Sequence, residues 1–223
     1  MAKIRTITVD TLTGILDEMY MTSVKKPSHD SWKDWGQSVW RFNSILQDLG
    51  FEIILIYGVP GTGKSAGMRT LPHDTNIWFN ADNKNPTWEG GKKEYGKKTN
   101  PRAPYHLIPK DYNSILNHIE QGLEKDMFEK ERYAILTGHV ETYKEGSDTK
   151  ARLQIIGKLA NKMMIERKFE SVFYSRVIVE NNKPRYVLDT QNNGYNTVRS
   201  FMNMFEPQIP NDYNFIIEKL MKY

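Results

Sequence analysis

The apolar positions of the chain follow two periods. Residues 4–10, IRTITVD, are mostly β-branched and end in a carboxylate. Ile4, Thr6 and Thr8 alternate there with Arg5, Ile7 and Val9, which predicts a short strand. Residues 51–57, FEIILIY, are almost continuously apolar, the pattern of a strand covered on both faces in a parallel sheet. Residues 76–82, NIWFNAD, and 133–138, YAILTG, read the same way, and 105–109 predict a shorter strand. Helical spacing governs residues 32–49, where Trp35, Val39, Phe42, Ile45, Leu46 and Leu49 recur on one face. Asp30 or Ser31 supplies its cap and Gly50 its stop. Helices are also predicted over 11–21, over 111–130 with Ile115, Leu116, Ile119 and Leu123 on one face, over 151–168, and from Asn211 onward. Residues 171–180 and 185–190 predict a β-hairpin turning at Asn181-Asn182-Lys183-Pro184. Residues 22–30 and 191–199 are polar loops.

Strands interleaved with helices predict one α/β domain over residues 1–223: a strand and helices over 1–50, a core over 51–150, and a hairpin and helix over 151–223. Composition narrows the function classes. The longest apolar run, Ile53 to Tyr57, is far shorter than the roughly 20 residues of a membrane helix, so no membrane partner is expected. The first residues, MAKIRTITVD, lack a signal-peptide pattern, and a cytoplasmic location is expected. The chain has no cysteine, which removes disulfides, thiolate metal sites and cysteine catalysis. His73, His106 and His118 lack metal-ligand spacing, so no zinc site is expected.

The net charge is +4 and the pI about 9.0. The excess is concentrated between Lys84 and Arg102, where Lys92, Lys93, Lys97 and Lys98 outnumber Glu89 and Glu94 and are interleaved with Trp88 and Tyr95. A basic excursion over 83–104 with aromatic residues suits single-stranded nucleic acid, lysines neutralising phosphates and rings stacking on bases. A solvated lysine-rich loop is the plainer alternative.

Gly58-Val59-Pro60-Gly61-Thr62-Gly63-Lys64-Ser65 matches G-x-x-x-x-G-K-[ST] in full, between a buried strand and a predicted helix. Glycines let the backbone curl so that its N–H groups surround a phosphate, and the following helix directs its positive end there. Lys64 then reaches the β- and γ-phosphates, Ser65 ligates Mg²⁺, and Ala66 continues the cradle. The expected cofactors are ATP and Mg²⁺. Hydrolysis needs a further carboxylate to hold Mg²⁺ through water, and the best match to an apolar strand ending in Asp lies upstream, at Thr6-Ile7-Thr8-Val9-Asp10. Asp10 is therefore the second metal candidate. The alternative is an edge strand with a chance Asp.

With these segments in view, the chain resembles phage-encoded RecA-like ATPases, the compact AAA-type proteins associated with recombination and single-strand annealing. The resemblance rests on ITVDTLTG, ILIYGVPGTGKS, WFNAD, ILTGHVETYKEG, IGKLANK and YVLDTQNNGYNTVRSFMNMFEP, and covers most of the chain. In such proteins the VDTLTG-like strand lies between the P-loop segment and the TGHVE-like strand. Here it precedes the P-loop, so the order is permuted; moving residues 1–50 to follow Lys130 restores it. The resemblance implies a mostly parallel sheet flanked by helices with a C-terminal β-hairpin. It implies DNA-stimulated ATP hydrolysis on single-stranded DNA, and a homo-oligomeric ring or filament. It assigns Asp82 as general base, with Glu141 a weaker substitute. It makes Thr137 and His139 polar sensors on the strand beside the P-loop, and Gln191, Asn192 and Arg199 a surface reaching a neighbouring subunit, with Arg199 as a finger in trans. Plain alternatives are a solvated Asp82, a structural His139 and a surface Arg199. Two other functions fit the P-loop: a small-molecule kinase, or a nucleotide-binding assembly module without turnover.

Overall fold

The computed structural model describes residues 4–10, 12–13, 44, 47–48, 50–72, 75–80, 105–107, 128–154 and 165–223. Ile4–Asp10 form β1, Glu52–Gly58 β2, Lys64–Met68 helix α1, Asn76–Asn80 β3 and Tyr105–Leu107 β4. Phe128–Glu145 form β5 and Asp148–Leu153 β6, and a 3-10 turn spans Ile165–Lys168. Ser171–Glu180 form β7, Lys183–Asp189 β8, Gln208–Pro210 β9 and Tyr213–Leu220 helix α2.

The strands form a mixed sheet in the order β4-β3-β1-β5-β2-β7-β8-β9, with β6 paired to β5 off this path. The pairings β4-β3, β3-β1, β1-β5, β5-β2 and β2-β7 are parallel; β5-β6, β7-β8 and β8-β9 are antiparallel. Helices are few among the described residues, so the expected α/β fold holds only in its coarse form. β1 is an interior strand, flanked by β3 and β5, which removes the edge-strand alternative for residues 4–10.

Apolar runs become strands covered on both faces. Ile54 and Ile56 of β2 pack with Phe173, Leu188, Met68, Leu71, Tyr213, Ile216 and Ile217 on one side. Ile53, Leu55 and Tyr57 are equally buried on the other, and the Tyr57 hydroxyl bonds the Thr197 hydroxyl at 3.0 Å. Each such side chain contributes about 1.5–3 kcal/mol by leaving water. Helix α2 buries Tyr213, Ile216, Ile217 and Leu220, one stripe at helical spacing. Asp212 caps it by accepting from Phe215 N at 3.1 Å.

Two helix expectations need correction. Residues 128–130, placed at the end of a helix over 111–130, open the 18-residue strand β5. Residues 151–153, placed in a helix over 151–168, belong to β6, and residues 165–168 are a 3-10 turn. Ala151 and Leu153 are buried on either side of the half-buried Arg152, a period of two. Gly146, at φ 63°, turns β5 back into β6. The middle of both helix expectations, and nearly all of those over 11–21 and 32–49, lies outside the described residues, although Leu12 and Thr13 are helical.

Candidate nucleotide-binding site

Parallel register brings the end of β2 level with the middle of β5 and of β7. Gly58, at the end of β2, stands opposite His139 of β5 and Ser175 of β7. A Cβ on Gly58 would lie 2.3 Å from the Ser175 carbonyl oxygen, so the strand passes there only as glycine. The chain then turns through Gly61 and Gly63, both at φ 83°, a left-handed conformation that side chains disfavour. Helix α1 begins at the next residue, Lys64.

The loop is held from inside and outside. Thr62 Oγ1 donates to Val59 O at 2.9 Å, and Ser175 Oγ donates to Thr62 O at 3.0 Å. Asn211 Nδ2 donates to Gly63 O at 2.7 Å from the segment before α2. Lys64 is 7% exposed, and its ammonium donates to Gly58 O at 3.0 Å and Val59 O at 2.9 Å. The charge therefore sits within the curl of the loop. Ser65 and Ala66 are exposed.

Asp10 enters from β1. Val9 pairs with Leu136, so Asp10 follows beside Thr137, whose hydroxyl donates to Asp10 Oδ1 at 2.7 Å. Asp10 is 5% exposed. The next turn is fastened to β5, because His139 N donates to Thr13 Oγ1 at 2.8 Å. His139 Nδ1 is buried and has no hydrogen-bond partner among the described residues. Beneath α1, the Tyr213 ring lies against Gly67, where a Cβ would fall 2.4 Å from Cε1. Burial pushes the Tyr213 phenol well above its usual pKa, and the Asp10 charge pushes the same way.

Asp10, Pro60, Gly61, Gly63, Lys64, Ser65, Ala66, Thr70 and His139 line one cleft of about 940 Å³. Pro184, Arg185, Tyr186, Pro210, Asn211 and Asp212 complete its lining. That is at the upper end of small-molecule sites, roughly 300–1,000 Å³. Asp10 and Ser65 face it with oxygen ligands only, the donor type a Mg²⁺ ion takes. Among the described residues, no group of three or more His, Cys, Asp or Glu side chains gathers to hold a metal, in this cleft or outside it.

The cleft thus unites Gly61, Gly63, Lys64, Ser65, Ala66, Asp10 and His139, with Gly58, Val59, Pro60 and Thr62 completing the loop. Other expected residues lie elsewhere. Arg199 Nη2 donates to Glu166 O at 2.7 Å and to Phe169 O, which fastens its guanidinium to the 3-10 turn. Glu141 pairs with Arg152 Nε at 2.6 Å on the β5-β6 ribbon. Gln191 Nε2 reaches Phe205 O at 3.5 Å, and Asn192 Oδ1 accepts from Gly194 N at 2.7 Å in a local turn. Asp82 and the basic stretch 83–104 lie outside the described residues. Sequence reasoning missed Thr13, Ser175, Tyr186 and Asn211. Asn211 reaches Gly63 across 148 positions of sequence, a distance that no local pattern spans.

Searches by sequence and by structure find no matching family model, no matching curated protein and no matching solved structure. Among the described residues, no helix is long and apolar enough to cross a membrane.

Proposed function

We propose that this protein binds ATP with Mg²⁺ and hydrolyses it, as a RecA-like P-loop ATPase acting on single-stranded DNA in the cytoplasm. The observation carrying this reading is the meeting of Lys64 and Asp10 in one cleft at the ends of parallel strands. Ligands of open α/β sheets collect at such strand ends. The permuted order is supported too, because β1 lies next to β5 in the sheet although 127 positions separate Asp10 from Thr137.

In this reading the loop N–H groups and Lys64 neutralise the phosphates. Ser65 and Asp10 would hold Mg²⁺, which would supply positive charge to the phosphates. Thr137 holds the Asp10 carboxylate in place by its hydrogen bond. Water attacks the γ-phosphorus in line, the bond to the β–γ bridging oxygen breaks, ADP leaves, and the water proton passes to a base. Asp82 is the base by resemblance; His139 faces the cleft with an unpaired Nδ1. The DNA assignment rests on the basic residues from Lys84 to Arg102, and the oligomer with its Arg199 finger rests on the resemblance.

The test is phosphate release with single-stranded DNA titrated at two salt concentrations. Turnover should rise with DNA and the stimulation should fade with salt. Lys64→Ala should weaken ATP binding by about 10–150-fold, the loss expected for hydrogen bonds to a charged group. Asp10→Asn should keep ATP affinity within a few-fold and lower turnover by about 10–100-fold. Tight ATP binding without turnover would leave a nucleotide-binding assembly module instead. Unchanged turnover in Asp10→Asn would remove the permuted carboxylate.

A further inference from the structure

The wall that β8 gives the cleft, beside the P-loop, has an unusual surface for a hairpin. In the β7-β8 register Val177 pairs with Tyr186 and Val179 with Pro184. Residues 184, 186 and 188 share one face of β8, and Leu188 of that face is buried with Met68 and Tyr213 in the core beneath the loop. The same face therefore runs from the core past the P-loop and out into the cleft. Its outer part is apolar yet uncovered: Tyr186 is 45% exposed, Val177 38% and Val179 72%.

Tyr186 is tied to the phosphate loop. A Cβ on Gly63 would stand 2.9 Å from Tyr186 Cδ1 and 2.9 Å from Asn211 Nδ2, so the absence of a side chain at Gly63 lets both close on the loop. Asn211 joins the two sides: its N–H donates to Tyr186 O at 3.2 Å and its side-chain amide to Gly63 O at 2.7 Å. The ring thus has a fixed position beside the loop, with one face of the hairpin extending away from it.

We infer that Tyr186, with Pro184 and Val177 beside it, is the shelf that receives the nucleobase of the bound nucleotide. This rests on the nucleotide reading above and deepens it. The triphosphate is held at the loop, and the ribose carries the base away from it along the cleft. An exposed ring and proline at that wall offer a flat apolar surface, which a base covers by stacking. Stacking uses the face of the base, so Tyr186 supplies affinity for a nucleotide over bare phosphates.

The experiment compares ATP with inorganic tripolyphosphate, by calorimetry, on the full chain and on Tyr186→Ala and Tyr186→Phe. The unaltered chain should bind ATP more tightly than tripolyphosphate. Tyr186→Ala should weaken ATP by about tenfold, the low end of base–aromatic stacking, and leave tripolyphosphate unchanged. Tyr186→Phe should retain ATP affinity, because the ring and not the hydroxyl makes the surface. An unchanged ATP affinity in Tyr186→Ala would overturn the shelf. An equal loss of both ligands would overturn it as well, since the ring would then only prop the loop. If the unaltered chain binds neither ligand, the nucleotide reading itself fails; if it binds both equally, that reading survives and the shelf does not.

Discussion

Glu52 opens β2 with one carboxylate oxygen, Oε1, buried and without a hydrogen-bond partner among the described residues. Burial raises its pKa above the usual 4.5, and the neighbouring Glu170 carboxylate raises it further. The folded protein then holds this proton more tightly than the unfolded chain does. The stabilisation is full below the unfolded value, is lost as pH rises through the folded value, and is absent at neutrality. Glu52→Gln keeps the side chain uncharged at every pH. Its melting temperature should exceed that of the unaltered chain at pH 7–8, and the gain should vanish when pH falls below about 4.5, as calorimetric scans across pH would read. A gain independent of pH would assign the effect to packing. Single residues were legible in the sequence where their chemistry is local. Lys64 and Ser65 announce themselves by spacing, and Asp10 by standing at the end of a β-branched run. Asn211 and Tyr186 carry no such mark, since their roles arise only when the hairpin and the segment before α2 meet the loop.

Elements were legible where burial is symmetric or a turn is chemically marked. The β7-β8 hairpin is legible as a hairpin, but its turn is two residues long and not four, because Lys183 and Pro184 pair within β8. Asn181 and Asn182 both take positive φ, 52° and 61°, between the pair Glu180 and Lys183. This is the type I′ geometry, which matches the twist of the strands and suits Asn followed by Gly best. Asn182→Gly should therefore stabilise the fold by about 0.5–1 kcal/mol, and Asn182→Val should destabilise it by about 1–2 kcal/mol. Urea unfolding checks both, and a stabilising valine would contradict the turn geometry. The β5-β6 ribbon escaped because its strands are amphipathic and strongly charged. Arg152 pairs with Glu141 and lies over the Tyr143 ring, and Lys150 pairs with Glu145. Such a ribbon lacks the apolar run that flagged the central strands, and the isoleucines after Leu153 lend the stretch a helical spacing.

At the scale of the whole molecule, the sheet order was legible only in part. Apolar runs identify interior strands but carry no information on which neighbours they choose, so residues 4–10 fit an edge or an interior place by sequence, and the pairing with β3 and β5 makes β1 interior. A ligand that binds only the assembled cleft stabilises the whole sheet by linkage. ATP with Mg²⁺ at about 100 times its Kd should add about 2.7 kcal/mol, or roughly 5–10 °C of melting temperature for a chain of this size. At the same nucleotide concentration Lys64→Ala, binding about 10–150-fold more weakly, should gain only about 0.3–1.4 kcal/mol. A shift of equal size in that variant would place the nucleotide elsewhere. The interior place of β1 also sets a timetable. As the chain leaves the ribosome, residues 4–10 emerge ahead of both strands that flank them. They find a first neighbour once residues 76–80 are made, and the second only after residues 128–136. The Thr137–Asp10 bond closes a loop of 127 positions, and such long-range pairing is slow because the entropy of closure is lost before contacts repay it. A nascent chain shorter than this has Gly58–Ser65 but no β5 to hold Asp10, so the proposed competence for turnover would be acquired late in synthesis.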